Sequence, residues 1–296
     1  MAASTSVFAT KVAPAIGATL ANIMWVTPVF DVRSKRAAKS LGSLNPAGLS
    51  MGYSTVLGWT LYGSLSNDGF ILWANFPGVS VLTFCVISVV SLLNLDIMKL
   101  ESEISGSGSS NGLTGESSKI VTKLNSMKSL LFYTEVILTA TPFVWGLMAY
   151  LSWVTWGENR AHAVSVVGWM CLAQTLAYFI APLTALRDVI KNKDSSSIYL
   201  PTVIANTMSC TMWAIYGVVA VHDPVVYAPN FVGFALQIVN ASLLFLYPKK
   251  NILMAAATAD DKQNPCKVEE GSSKGQVQSL GSQDRETVLY STLPQL

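Results

Sequence analysis

Charged residues are scarce in this chain. Of its 296 residues only 12% are Asp, Glu, Lys or Arg, and 51% are hydrophobic. Soluble domains carry about a quarter charged residues, so the composition argues against a soluble fold. The formal net charge is only +2, and no basic stretch is interleaved with aromatic residues. Binding to nucleic acid is therefore not expected.

The sequence also lacks the patterns of a disulfide framework, a metal site or a catalytic centre. Its four cysteines, Cys85, Cys171, Cys210 and Cys266, are scattered without a CxxC pair or a histidine at ligand spacing. The apolar segments contain neither paired carboxylates nor a nucleophile next to a base. We therefore expect no disulfide, metal or cofactor, and an enzyme is disfavoured.

Long stretches without charge are the main positive feature. A helix needs about 20 mostly apolar residues to cross a bilayer, where only an internally hydrogen-bonded segment is tolerated. Seven stretches are long enough, and the sequence predicts an all-α membrane protein with seven transmembrane helices. They lie between residues 11 and 31, 39 and 68, 68 and 96, 160 and 187, 194 and 223, and 223 and 249, and over 129–157. Glu135 is the one charged residue in the stretch 129–157. It lies close enough to the lipid headgroups to favour a structural role over proton coupling.

Lysine and arginine indicate the orientation of these helices. Thirteen of them follow the first, third, fifth and seventh spans, and the opposite side has only Lys11 and Arg160. The positive-inside rule then predicts an extracellular N-terminus and a cytosolic C-terminus. Without the basic leader of a cleavable signal peptide, the first span is expected to be retained. The thirteen residues are Arg33, Lys35, Arg36, Lys39, Lys99, Lys119, Lys123, Lys128, Arg187, Lys191, Lys193, Lys249 and Lys250.

An internal repeat is the strongest signal. Trp59-Thr60-Leu61-Tyr62-Gly63 returns as Trp213-Ala214-Ile215-Tyr216-Gly217, at an offset of 154 residues. Prolines precede each motif, and Asn and Gly follow it, in the same order in both halves. The matched pairs are Pro28 with Pro182, Arg33 with Arg187, Pro46 with Pro201, Asn75 with Asn230 and Gly78 with Gly233, at offsets of 154 or 155.

Each copy holds three spans and starts on the same side, so the fourth span joins two parallel three-helix bundles in a 3+1+3 plan. Equivalent groups of both copies then face a central route near the membrane midplane. The predicted divisions are an extracellular N-terminus 1–11, a first repeat 12–95, a flexible cytosolic linker 96–128 rich in Ser and Gly, a linker helix 129–157, a second repeat 161–248 and a disordered cytosolic tail 249–296.

These landmarks resemble the SWEET (MtN3/saliva) sugar transporters over roughly residues 16–247. The resemblance implies that Pro28, Pro46, Pro182 and Pro201 act as hinges near the cytosolic end. It also implies a sugar pocket made by Trp59, Asn75, Trp213 and Asn230. Tyr62, Tyr216 and Asp223 match the outer gate of the family. No lysine stands in the first outer turn to pair with Asp223, so this gate is expected to differ in detail.

The chemistry of the four pocket residues suits a sugar independently of the family. A sugar ring offers an apolar face of C–H groups and a rim of hydroxyls, which indoles and amides complement. We expect a bidirectional uniporter of mono- or disaccharides that works by alternating access, in the plasma membrane. Its partners would be a small sugar and the lipid bilayer, and the sequence leaves homo-oligomer formation open.

Two other classes share seven helices. A PQ-loop carrier of amino acids and protons would show a Pro-Gln dipeptide, whereas Pro28 precedes Val and Pro182 precedes Leu. A seven-helix receptor has no reason to repeat its first three spans and would carry an Asp-Arg-Tyr-like triplet, which is absent. Both are weaker alternatives.

Overall fold

The structure, a computed structural model, describes residues 7–42, 44–107, 115–155, 159–195 and 198–247. Over these ranges the chain is almost entirely helical and forms no strand. The helices are α1 (Ala13–Val26), α2 (Pro28–Ala38), α3 (Pro46–Ser66), α4 (Gly69–Ser107), α5 (Gly115–Val154), α6 (Arg160–Tyr178), α7 (Ile180–Asn192), α8 (Leu200–Ile215) and α9 (Pro224–Leu246), with π-helical turns at Phe8–Val12 and Tyr216–Ala220.

Two pairs of helices are parts of single kinked segments. The boundary between α1 and α2 lies at Thr27, immediately before Pro28. Proline has no N–H to donate to the preceding turn, and its ring clashes with that turn, so a break is expected there. The equivalent segment of the second repeat breaks at Phe179, three residues before Pro182. The described residues therefore form seven helical segments.

Five of these segments are long and apolar enough to cross a membrane, judged by length and composition. Between 17 and 44% of the apolar window of each is buried within the protein, so most of this surface faces outward, as lipid contact requires. The five are Phe8–Ala38, Gly69–Ser105, Ser118–Val154, Leu200–Ala220 and Pro224–Leu246.

The other two segments are α3 and the pair α6–α7, and burial explains why α3 is less apolar. Helix α3 has 21 residues, a length of about 31 Å that matches the hydrocarbon core. Its buried positions include small and polar residues such as Ser50, Gly52 and Thr55, which lower its mean hydropathy. Low hydropathy here reflects burial inside the bundle.

The packing follows the repeat. In the first half α4 packs against α1 and α3, and in the second half α9 packs against α6 and α8. Between the halves α1 contacts α8 and α3 contacts α6. A twofold axis that exchanges the halves converts each of these two contacts into the other, as parallel repeats require. Helix α5 covers α3 and α4.

Among the described side chains, the buried core joins the halves at one end. We call the end where α3 meets α4 the gate end, and the opposite end, where α2 and α7 finish among lysines and arginines, the basic end. One buried cluster at the gate end draws on both repeats and on Trp145 of α5. Near the basic end the clusters around Val203 and around Leu92 each belong to one side. The halves are therefore packed together at the gate end.

The predicted flexible linker is largely helical. Helix α4 continues to Ser107 and α5 starts at Gly115, with an ion pair of 2.6 Å between Lys128 Nζ and Glu101 Oε1. Ile97 and Leu124 are buried in this extension, which explains why the helices continue. Residues 108–114, the predicted tail 249–296 and residues 1–6 of the predicted N-terminus lie outside the described residues.

The glycine of each Trp-x-x-Tyr-Gly motif allows a close helix contact. A Cβ atom on Gly63 would lie 2.6 Å from the backbone nitrogen of Leu72, and one on Gly217 would lie 2.8 Å from that of Tyr227. Leu72 and Tyr227 are themselves 155 residues apart, so both repeats make the same approach. Backbone atoms cannot move aside cheaply, which explains why glycine occurs at both positions.

Substitution of Gly63 or Gly217 by alanine should destabilise the protein. We expect a lower midpoint of thermal unfolding in detergent for each variant, since overpacking costs about 1–3 kcal/mol. Gly146→Ala is the control, because a Cβ there meets nothing within 4 Å. Equal midpoints for Gly63→Ala and Gly146→Ala would contradict the close contact.

Candidate functional site

A cavity of about 300 Å³ lies between the two repeats. Its lining includes Trp59 and Asn75 of the first repeat and Trp213 and Asn230 of the second. The structure thus brings together all four residues that the sequence predicts as a pocket. Their role in binding stays a prediction.

The two asparagines are held in the same way. Asn75 Nδ2 donates to the carbonyl of Ile71 at 2.9 Å, and Asn230 Nδ2 donates to the carbonyl of Val226 at 2.7 Å. Each bond uses one of the two N–H groups and fixes the side chain against its own helix. The carboxamide oxygen and the second N–H of each residue are left for a ligand or water.

The two tryptophans differ in their hydrogen bonds. Trp59 Nε1 donates to Thr175 Oγ1 at 3.0 Å, across the repeat interface. Trp213 Nε1 makes no hydrogen bond to the described residues, and its indole packs against Gly17, where a Cβ atom would lie 2.9 Å from that nitrogen. Both indoles contact the tyrosine of their own motif edge to face, with centroids 5.5 Å apart at Tyr62 and 5.9 Å apart at Tyr216.

An apolar layer closes the cavity toward the gate end. Ile71 and Val226 line both the central cavity and an outer pocket of about 490 Å³. They are equivalent residues of the two repeats, 155 positions apart, and only 3% and 2% of their surface is exposed. The layer separates the two spaces.

Two tyrosine–aspartate hydrogen bonds cross the interface just outside this layer. Tyr62 Oη donates to Asp223 Oδ2, and Tyr216 Oη donates to Asp68 Oδ2 at 2.7 Å. Each tyrosine belongs to one repeat and its acceptor to the other. The bonds are reciprocal, so the outer ends of the halves are joined twice.

The same aspartates begin the third helix of their own repeat. Asp68 Oδ1 accepts from the backbone N–H groups of Phe70 at 2.9 Å and Ile71 at 3.0 Å. Asp223 Oδ1 accepts from the N–H of Val225 at 2.9 Å. One carboxylate oxygen therefore caps a helix while the other accepts the tyrosine, which fixes the orientation of the carboxylate.

The sequence prediction of the outer gate named Asp223 but not Asp68, which makes the equivalent hydrogen bond, and the gate role of these residues stays a prediction. The signal was present, because Asp68 and Asp223 are 155 residues apart, the offset of the asparagines. The residues just before them, Asn67 and His222, both adopt positive φ, at 58° and 53°. The two outer turns therefore share the same backbone conformation at this residue, and their carboxylates make the same kinds of hydrogen bond.

Arg160 adds a further link at the gate end. Its Nε donates to the carbonyl of Leu65 at 2.7 Å, and its Nη2 lies 3.3 Å from the carbonyl of Ser64. These carbonyls belong to the last turn of α3, whereas Arg160 begins α6. A cation at a helix C-terminus satisfies carbonyls that lack partners within the helix.

The cavity continues toward the basic end. A second cavity of about 400 Å³ shares Met24, Trp25, Tyr178 and Asn206 with the central one. Four shared lining residues show that the spaces adjoin. We call these two adjoining cavities the passage toward the basic end. At the gate end, by contrast, the buried side chains of Ile71 and Val226 and the two tyrosine–aspartate bonds lie between the central cavity and the outside.

The four predicted hinge prolines occupy two kinds of position. Pro28 lies at the kink between α1 and α2, and Pro182 lies within α7, just after its break. Pro46 and Pro201 lie in the first turns of α3 and α8, where the missing N–H removes no hydrogen bond within the helix. Proline therefore removes a hydrogen bond within a continuous segment at Pro28, and the hinge role of all four prolines stays a prediction.

Several other polar groups have local roles. Pro77 leaves the carbonyl of Trp73 without its usual donor, and Asn22 Nδ2 donates to that oxygen at 3.0 Å. Glu135 is exposed on α5, away from the cavity. Within the described ranges, no three His, Cys, Asp or Glu side chains come together as metal ligands.

Comparisons with known proteins find related sequences and a related fold. A family model described as "Sugar efflux transporter for intercellular exchange" matches residues 165–252. A sugar transporter SWEET1 of Drosophila pseudoobscura pseudoobscura is 32% identical over 94 residues, which are 32% of this chain and 41% of that protein. A bidirectional sugar transporter SWEET9 of Arabidopsis thaliana is 37% identical over 90 residues, which are 30% of this chain and 34% of that protein.

A solved structure of a eukaryotic SWEET transporter has the same fold. The TM-score is 0.58 at 16% identity, and the match covers 80% of this chain and 95% of the other. The alignments to the two relatives above are shorter than this structural match. In them this chain spans about two fifths of the length of the relative or less. Together these findings confirm the resemblance to the SWEET family and the all-α membrane fold.

Removal of one gate hydroxyl should favour separation of the outer ends. Hydrogen bonds to charged groups contribute about 1.5–3 kcal/mol. Tyr216→Phe should therefore raise the fraction of molecules whose outer ends are separated roughly tenfold or more. Spin labels at the equivalent exposed positions Ser64 and Val218 would report this by double electron–electron resonance, with the native cysteines replaced. We expect a new population at longer distance.

Tyr133→Phe, which removes the hydroxyl of an exposed tyrosine on α5, is the matched control. Its distance distribution should equal that of the parent protein. Identical distributions for Tyr216→Phe and Tyr133→Phe would show that the bond to Asp68 does not hold the gate.

Proposed function

We propose that this protein is a bidirectional sugar uniporter that moves mono- or disaccharides by alternating access. The observation that carries the proposal is the central cavity, which the buried side chains of Ile71 and Val226 bound toward the gate end and which a second cavity adjoins toward the basic end. Each repeat contributes to it the indole of its Trp-x-x-Tyr-Gly motif and the carboxamide at the matched later position. The printed names of the relatives, which are sugar transporters, support the same substrate class.

The arrangement of the four side chains suits a sugar ring. Indole faces pack against the C–H groups of a ring, and carboxamides donate to and accept from hydroxyls. The free N–H of Trp213 adds a donor that Trp59 lacks, because the Trp59 N–H is bonded to Thr175. The two motif tryptophans are therefore not equivalent as hydrogen-bond donors.

The lack of charge in the cavity favours transport without ion coupling. Among the described residues that line the central cavity, none is acidic or basic. A proton-coupled carrier needs a titratable group that faces the substrate. The sugar gradient alone would then drive transport, and rocking of the repeats about the closed end would expose the cavity to each side in turn.

The membrane arrangement is part of the proposal. All seven helical segments would cross the plasma membrane, with the N-terminus outside and the basic end in the cytosol, as the distribution of Lys and Arg favours. One chain supplies both halves of the cavity, so transport would not require a second copy. The structure would correspond to an inward-open state.

Truncation of a pocket residue should abolish transport without unfolding the protein. We expect Trp213→Ala and Asn230→Ala each to lower uptake of labelled sugar into proteoliposomes to less than about a tenth, since each removes a contact made to the substrate. Trp153→Ala and Asn94→Ala, at exposed positions on α5 and α4, are matched controls. Uptake at the parental rate in either pocket variant would discard this pocket.

A proton ionophore should leave transport unchanged. In a uniporter the rate depends only on the sugar concentrations on the two sides, because no ion moves with the sugar. Uptake into proteoliposomes with an imposed pH gradient should therefore be equal with and without the ionophore. A collapse of uptake on its addition would indicate coupling to protons.

A further inference from the structure

One face of α8 lines the passage from the basic end to the indole. Thr202, Asn206, Ser209 and Trp213 are spaced by four, three and four residues, which places them on a single face of a helix. Each of them lines the central cavity or the cavity at the basic end. At 1.5 Å per residue the row extends over about 16 Å.

The equivalent face of α3 has a different composition. The Trp-x-x-Tyr-Gly motifs of α3 and α8 are 154 residues apart. At this offset the partners of the row are Gly48, Gly52, Thr55 and Trp59, and these also line the two cavities. Tryptophan and a small hydroxyl residue occur on both sides in the outer part. In the inner part, by contrast, two polar side chains of α8 correspond to two glycines of α3.

Helix packing does not require these two glycines. A Cβ atom on Gly52 would lie 3.5 Å from Leu82 Cδ1, and one on Gly48 would lie 3.4 Å from Asn45 Nδ2, which are ordinary contacts. A Cβ on Gly58, in the same helix, would approach Trp145 to 2.5 Å. The effect of Gly48 and Gly52 is therefore to leave room in the passage.

The polar groups of α8 at this level lack protein partners. Thr202 Oγ1 is buried without a hydrogen bond in the described part of the chain. The carboxamide of Asn206 likewise makes none with the residues described. A buried hydroxyl without a partner costs about 1–3 kcal/mol, and a change of rotamer at Thr202 would let a ligand or water in the passage offset this cost. The half-buried carboxamide of Asn206 already borders the cavity.

We propose that Thr202 and Asn206, with the space left by Gly48 and Gly52, form a second subsite for one sugar ring on the basic side of the central cavity. The hydroxyls of the ring face α8, and its C–H face lies toward α3. The inference rests on the proposed function. The ring is either the second ring of a disaccharide or a single-ring sugar at an intermediate position, and the experiment distinguishes the two.

Transport rates measured from each side of the membrane test the contacts of Thr202 and Asn206 with the sugar. For a passive carrier the ratio of Vmax to KM is the same for transport in either direction. If a variant removes a contact that the sugar makes only when bound at the basic end, KM and Vmax for sugar supplied from that side therefore rise together. For glucose supplied at the basic end, Asn206→Ala should raise KM by about fivefold or more, with a change of less than about twofold from the other side. The isosteric Thr202→Val should act in the same direction.

Narrowing the passage tests which ring occupies it. Gly52→Val adds side-chain volume to the lining of the cavity that Asn206 also lines, and Gly146→Val adds it to α5, where space is open, as the control. If the subsite holds the second ring of a disaccharide, Gly52→Val lowers sucrose uptake about tenfold and leaves glucose uptake unchanged. If it holds a single sugar in passage, the variant slows glucose as well. Both results support the subsite.

Three results overturn the proposal. Parental KM values in Asn206→Ala and Thr202→Val show that these groups do not contact sugar. A KM that rises equally from both sides assigns Asn206 to the central pocket and removes the separate subsite. Equal transport of both sugars by Gly52→Val and Gly146→Val shows that no ring passes Gly52. In all three cases the parent protein still transports sugar, whereas an inactive parent refutes the proposed function itself.

Discussion

The reciprocal bonds between Tyr62 and Asp223 and between Tyr216 and Asp68 determine much of this architecture. Each carboxylate caps the third helix of one repeat with one oxygen and accepts from the opposite repeat with the other. Helix geometry within a repeat is thereby connected to closure between repeats. Because the same contact occurs twice about a twofold axis, the outer ends meet symmetrically, with Ile71 and Val226 packed directly beneath.

The symmetry of the gate end contrasts with the asymmetry of the passage. The motif glycines, the two outer turns and the paired asparagines obey the repeat closely. The differences lie in Trp213, whose N–H stays free while that of Trp59 is bonded to Thr175, and in the glycines of α3 that replace polar residues of α8. Duplication thus explains the arrangement of the helices and the reciprocal tyrosine–aspartate bonds, and divergence after it explains why α3 and α8 line the passage with different side chains.

Much of this could be predicted from the sequence, because the repeat constrains it strongly. Fixed offsets of 154 and 155 residues place Trp59, Asn75, Trp213 and Asn230 at equivalent depths, and the structure brings them to one cavity. The sequence prediction did not include Asp68, because the partner expected for Asp223 in the first outer turn was a lysine. Helix capping and long-range hydrogen bonds leave little trace in periodicity, and the Ser- and Gly-rich composition gave no sign that α4 and α5 extend beyond the bilayer segment.

The central claim is that two indoles and two carboxamides, one of each from each repeat, enclose a sugar between them. A structure of the protein determined with a bound sugar tests it most directly. The account predicts the ring between Trp59 and Trp213, with Asn75 and Asn230 within hydrogen-bond distance of its hydroxyls. A sugar bound elsewhere while this cavity stays empty, or any of the four side chains turned toward lipid, would contradict it.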